Sequence, residues 1–379
     1  MTPDRSAARA WRGLLAITAT YVAFLLFAQF GFLRQVEQDL ADPGQVKTTL
    51  AAMGIAGLAA SFGTAWGLGR VSALRLVRVG LAAVAVVAAG STACHGFAAL
   101  FVAAAGIGAS IGVLTVALAT ALPEMAPGAT GRAAGLGTGV AYFLSNIPGL
   151  FEGAPAVRAL FPAALAAVAA AVLRPSPSGP LSHPHSPPPG ERKTRGDARI
   201  GWIGILAVFL VLVWLDSAAF AIVQANPELK AQTWGTAGQK WLQGSVHLVA
   251  AIGAGALLDA GVGLAIPFAS WILFALAFPL LEGGGSIAAG PLYAAGISLY
   301  STALVVMPTR GGQAAPSPRW RAGLLYGIAG WLGSALGVGM AQDLGTIPRS
   351  FLAATGVVLA TVFLLRLSPG GRSGGGGKG

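Results

Sequence analysis

The sequence predicts an all-α polytopic membrane protein: twelve transmembrane helices arranged as two six-helix bundles with pseudo-two-fold symmetry. Three observations lead there. Twelve apolar stretches fill nearly the whole chain, each about as long as the roughly 20 residues needed to cross a ~30 Å hydrocarbon core. Lys and Arg gather on alternate connections between those stretches. The last six stretches also repeat the spacing of the first six at an offset of about 189 residues.

In order, the spans begin near Trp11, Thr48, Leu76, Ala98, Arg132 and Ala156, then near Ile200, Thr236, Gly263, Ile287, Ala322 and Ile347. With the N-terminus placed inside, 18 of the 24 basic residues fall on the inner side; Arg34, Lys47, Arg158, Lys230, Lys240 and Arg349 fall outside. Basic loops are retained on the cytoplasmic side during insertion, so both termini are expected there, at the cell (inner) membrane. The first apolar run is too long for the core of a cleaved signal peptide and reads as a retained signal anchor. Trp11, Trp202, Trp234 and Trp320 sit near span ends, where an interfacial aromatic belt belongs.

Composition supports the same class. The chain is 55% hydrophobic and 10% charged, with mean hydropathy +0.72. Soluble globular proteins carry about 25% charged residues, so that class is excluded. The net charge of +11 comes mostly from inner loops, and positive-inside topology accounts for it without a nucleic-acid partner. There are 55 Gly among 379 residues, a composition that lets membrane helices approach closely. A single cysteine, Cys94, excludes an intrachain disulfide framework.

The longest polar connection, residues 174–199, is rich in Pro, Ser and basic side chains and reads as a flexible cytoplasmic linker. The expected organisation is therefore a bundle over 1–173, the linker over 174–199, a second bundle over 200–367 and a Gly-rich tail over 368–379. Local sequence echoes the repeat. Gly131-Arg132-Ala133-Ala134-Gly135-Leu136 opens the fifth span, and Trp320-Arg321-Ala322-Gly323-Leu324-Leu325 opens the eleventh.

Two parallel six-span halves joined by a long cytoplasmic loop resemble the major facilitator superfamily. That family carries a G-x-L-x-D-R-x-G-R signature between spans two and three. In the matching stretch here, which runs from Gly67 to Arg75, Arg70 is kept, Gly69 replaces the acid and Ser72 replaces the second Gly. The equivalent loop of the second half, Gly255-Ala256-Leu257-Leu258-Asp259-Ala260-Gly261, keeps the acid and lacks the Arg. The resemblance implies that Arg70, Arg75 and Asp259 form a cytoplasmic gating motif. It also implies that spans one, four, seven and ten surround a central cavity.

Ionisable groups at bilayer depth are costly and mark candidate sites. Asp216 lies two thirds of the way along span seven, and His247 lies at comparable depth in span eight. Either can carry a coupling proton; each can equally serve helix packing alone. As sequence neighbours, the two spans are expected to bring Asp216 near His247 or Lys240, with Lys240 snorkelling to the outer surface. Cavity candidates are Tyr21 and Gln29 in span one, Tyr293 and Tyr300 in span ten, Asn146 in span five and Gln243 in span eight. Pro148-Gly149 is expected to break the fifth helix. No Arg or Lys lies deep in the cavity-lining spans, which argues against a multiply anionic substrate.

Other patterns carry no chemistry. His183-Pro184-His185 and Cys94-His95 lack the ligands of a closed metal site, and the Gly runs lack the Gly-Lys-Ser/Thr ending of a phosphate loop. No cofactor or metal is expected. No nucleophile, base and orienting group fall together, so the chain does not read as an enzyme. The expected function is secondary active transport of a small, weakly polar solute by alternating access, with possible coupling to protons; its partners are that solute and the lipid bilayer. The alternative is a non-transporting scaffold or assembly subunit of a larger membrane complex.

Overall fold

The structure is a computed structural model describing residues 5–173, 201–263, 265–283, 287–310 and 316–367. Among the described residues all regular structure is helical, and twelve long helices follow in the expected order. They are α1 (Ala10–Asp39), α2 (Pro43–Gly67), α3 (Ala73–Ser91), α4 (Gly96–Met125), α5 (Thr130–Ser145) and α6 (Pro155–Val172). The second set is α7 (Trp202–Ala225), α8 (Ala237–Asp259), α9 (Ala265–Glu282), α10 (Ala289–Thr309), α11 (Pro318–Leu344) and α12 (Arg349–Leu367). Ten are long and apolar enough to cross a membrane, and α5, of 16 residues, and α12, with its apolar stretch Arg349–Leu365, complete the series. This is a multi-pass membrane protein. Helix starts fall within about five residues of those expected from sequence. The linker 174–199, its His183-Pro184-His185 and the tail 368–379 lie outside the described residues.

Helix pairing displays the internal symmetry. In the first half α2 packs on α4, α3 on α4 and α6, and α1 on α5 and α6. Adding six to every number gives the pairs of the second half: α8 on α10, α9 on α10 and α12, and α7 on α11 and α12. The two main cross-half pairs, α2 with α11 and α5 with α8, exchange under the same operation. A pseudo-two-fold axis along the membrane normal produces that pattern.

Small residues bring these helices into backbone contact. On α5 and α8, a Cβ added to Gly135 would lie 2.3 Å from the Ala251 carbonyl oxygen, and one on Gly255 would lie 2.4 Å from that of Gly131. Lipid supplies little hydrophobic drive, so such close packing is a main source of association between membrane helices. Gly135→Val should therefore push the halves apart and destabilise the protein by about 2 kcal/mol or more. Gly253→Ala, where nothing lies within 4 Å of the new carbon, is the control on the facing helix α8. A thermal midpoint of Gly135→Val in detergent equal to that of the control would contradict this account.

Two helices are not regular. Residues Ala23–Phe32 of α1 and Leu325–Leu332 of α11 are wound as π-helix, which disturbs the i to i−4 ladder and is often found at functional sites. In α1 the Phe30 carbonyl accepts a hydrogen bond from Arg158 Nη1 at 3.2 Å. Below, the face where α1 begins and α12 ends is termed the basic face, and its opposite the far face.

Candidate functional site

The polar groups at mid-depth converge on α10. Tyr293 and Tyr300 are seven residues apart, two turns along one face of the helix. Both hydroxyls reach Asp216 on α7. Tyr293 donates to Oδ1 at 2.7 Å and lies 3.2 Å from the Asp216 carbonyl oxygen, while Tyr300 donates to Oδ2. The half-buried carboxyl group thus has a phenol on each oxygen. Another face of α10 holds Ser298, whose hydroxyl lies 2.7 Å from His247 Nδ1 on α8. The His247 ring stacks on Tyr142 of α5, centroids 4.3 Å apart and planes within 7°.

The same helix reaches the first half. Tyr21 of α1 donates to the Ser301 carbonyl at 3.2 Å. Thr302 and Thr138 of α5 share a hydroxyl contact of 2.9 Å. Helix α10 is therefore a polar hub joining α7, α8, α1 and α5.

Two expectations need correction. Asp216 meets neither His247 nor Lys240, because α8 packs on α10 and α5 rather than alongside α7. Lys240 does not snorkel to the surface. Its side chain is 2% exposed and pairs at 2.5 Å with Glu152, in the connection between α5 and α6. Among the cavity candidates, Tyr21, Tyr293 and Tyr300 belong to the hub. Gln29 is half-buried in the π-helical part of α1. Asn146 is buried at the end of α5, where its amide donates to the Tyr142 carbonyl at 2.9 Å. The chain breaks there, as Pro148 predicts, and a short helix follows over Pro148–Phe151. Gln243 is buried further along α8, and its amide nitrogen lies 3.5 Å from the Thr233 carbonyl.

The signature residues divide. Arg70 stacks on Trp66 of its own half, 4.0 Å from the ring centroid, and Arg75 is exposed. Asp259, at the C-terminal end of α8, crosses to the other half. Its oxygens accept the Gly131 N–H at 2.7 Å, the Arg132 N–H at 3.0 Å and Arg132 Nε at 3.2 Å. These are the opening residues of α5, so Asp259 caps that helix in trans and supplies acceptors for its orphan donors. At the corresponding place just after α2, the space a Cβ on Gly69 would fill is taken by Arg319 Nη1, 2.3 Å away. Sequence reading missed Arg132, Glu152 and Arg319, all charged residues at helix ends whose partners lie across the chain. Among the described residues no three His, Cys, Asp or Glu come together in a group able to hold a metal ion.

No protein-family model matches the chain, and no curated protein matches its sequence. Solved structures do. A crystal structure of FucP, a major facilitator superfamily transporter in the outward conformation, superposes with a TM-score of 0.61 at 16% identity, covering 96% of this chain and 98% of that one. The crystal structure of the human organic anion transporter MFSD10 (TETRAN) superposes with a TM-score of 0.63 at 14% identity, covering 96% and 100%. The chain has the major facilitator superfamily fold. In that fold the first and tenth helices border the centre, and here they are the two most enclosed of the spans. The hub centred on Asp216 accordingly occupies the middle of a major facilitator bundle pair.

Proposed function

We propose that the protein is a secondary transporter that moves a small, weakly polar solute by alternating access and couples it to protons through Asp216. The observation that carries this reading is the link from the Asp216 carboxyl group to Tyr293 and Tyr300. Two phenol donors suit an ionised carboxylate, which only accepts. A proton on Asp216 turns one oxygen into a donor, so one of the two bonds must reverse or break. Protonation thus switches the α7–α10 link between two hydrogen-bond patterns, and α10 in turn contacts both halves.

Closure on both sides of the hub supports the same reading. On the far face Phe30 and Phe151 of the first half meet Phe220 and Trp234 of the second, beside the Lys240–Glu152 pair. On the basic face Asp259 ties α8 to the start of α5. An alternating-access cycle would open one closure while the other holds. Purified protein in vesicles loaded with a pH dye should change the lumenal pH when its solute is added. Constant pH across a panel of transported solutes would remove the proton coupling. The scaffold reading draws no support from the described residues or from the comparisons.

The basic face is assigned to the cytoplasm on the distribution of Lys and Arg. A cysteine placed in the linker, with Cys94 replaced, should resist an impermeant thiol reagent applied outside intact cells. Rapid labelling would invert the topology.

A further inference from the structure

The far face holds a group of cations that the hub does not use. Arg158 on α6 is 5% exposed; its Nη1 bonds the Phe30 carbonyl, while its buried Nε has no hydrogen-bond partner. Arg34 at the end of α1 and Lys230 in the short helix Pro227–Trp234 lie close enough for each of the three cations to repel the others. Burial, with Arg34 and Arg158 nearby, holds the Lys230 ammonium below the ordinary lysine range, against the opposing pull of Glu37. The neighbouring acids are Glu37, which is exposed, and Glu152, which is already paired with Lys240. Positive charge is left in surplus.

An aromatic cluster adjoins these cations. Ring centroids are 5.0 Å apart for Phe30 and Phe151, 5.3 Å for Phe30 and Phe220, 5.9 Å for Phe151 and Trp234, and 6.4 Å for Phe220 and Trp234. Trp234 is 7% exposed, and its indole N–H is buried without a partner. Two buried donors without acceptors, one on a guanidinium, are costly to leave unmade. An anion supplies the missing acceptors and offsets the crowding of like charge.

We propose that this cluster is a far-face recognition site for a solute bearing one carboxylate on an apolar or aromatic body. The carboxylate sits on Arg158 with Arg34 and Lys230, and the body lies against Phe30, Phe220 and Trp234. Arg34, Arg158 and Phe30 belong to the first half, and Lys230, Phe220 and Trp234 to the second, so the bound anion bridges the closure on this face. The proposal rests on the transporter reading and narrows its solute to a weakly polar body with a single charge.

Binding to the detergent-purified full chain, by titration calorimetry with 1-naphthoate, tests it without any transport. The carboxylate should bind, and the neutral 1-naphthamide should bind at least about tenfold more weakly, since a charge-assisted hydrogen bond is lost. Arg158→Gln and Lys230→Gln should each weaken naphthoate by about tenfold or more. Lys230 lies on a half-buried short helix, so its variant reports even where the Arg158 variant fails to fold. Lys47→Gln, which changes an exposed cation at the start of α2 on the same face, should leave naphthoate binding unchanged, which ties the effect to this cluster. Equal binding of acid and amide, or variants matching the parent, would overturn the proposal. So would inorganic phosphate or anionic-lipid micelles that bind with the same variant sensitivity and displace naphthoate, since the aromatic body would then play no part. Binding without transport would sink the transporter reading and leave the site standing; transport without naphthoate binding would do the reverse.

Discussion

Asp216→Asn is expected to abolish proton-driven transport while leaving the protein folded and solute exchange largely intact. An ionised carboxylate at this depth is tolerated only with partners, and Tyr293 and Tyr300 provide them. Asn keeps the shape. Its carbonyl accepts from one phenol and its amide donates to the other, so the α7–α10 link persists in one fixed form at every pH. Titration is lost and packing is kept. The drop in gradient-driven uptake should be complete within detection, while solute counterflow without a gradient changes by a few-fold at most. Tyr300→Phe, which removes one bond to a charged group, should give an intermediate phenotype; such bonds contribute about 1.5–3 kcal/mol. Gradient-driven uptake by the Asn variant at the parent rate would end the coupling hypothesis.

How much of this was legible beforehand depends on the range of the interaction. Apolar length and basic loops are local signals, and they place the starts of twelve helices to within about five residues. The helix break before Pro148 is local too. Pairings were not legible. Asp216 and His247 sit on consecutive helices, yet each bonds α10, some 77 to 84 residues on for Asp216 and 51 for His247. The major facilitator arrangement places α10 against both, and no periodicity in α7 or α8 announces it. The burial of Lys240 was hidden for the same reason. Snorkelling is the default for a lysine near a helix end, and it is overridden here by Glu152 arriving from the other half. Tyr293 and Tyr300 were recognisable as polar residues on an apolar helix, but their shared target was not.

Asp259→Asn should open the basic face. A carboxylate at the C-terminal end of its own helix sits at the negative pole of that helix dipole, which is unfavourable in isolation. Its position is explained by the start of α5, where it accepts two main-chain N–H groups and Arg132 Nε. The Arg132 side chain is 69% exposed, so the ion pair itself contributes little. The Asp259 side chain is only 17% exposed, and its bonds to the helix start dominate. Asn retains one acceptor and turns an NH2 group toward donors, losing the charge and at least one bond, for about 1.5–3 kcal/mol. That shifts an equilibrium between closed and open basic faces by roughly 10- to 150-fold. The opposite change is available in the other half. Gly69 lacks a positive φ, and the group crowding its missing Cβ is the far end of Arg319, which can turn to meet a carboxylate. Gly69→Asp should therefore add a second tie, between α2 and α11, and restore closure in the Asp259→Asn background. Spin labels at exposed Arg75 and Val262, with Cys94 replaced, would report the separation of the halves on this face. Longer distances in Asp259→Asn, brought back by Gly69→Asp, are expected; unchanged distances in both variants would show that Asp259 caps α5 without holding the halves together.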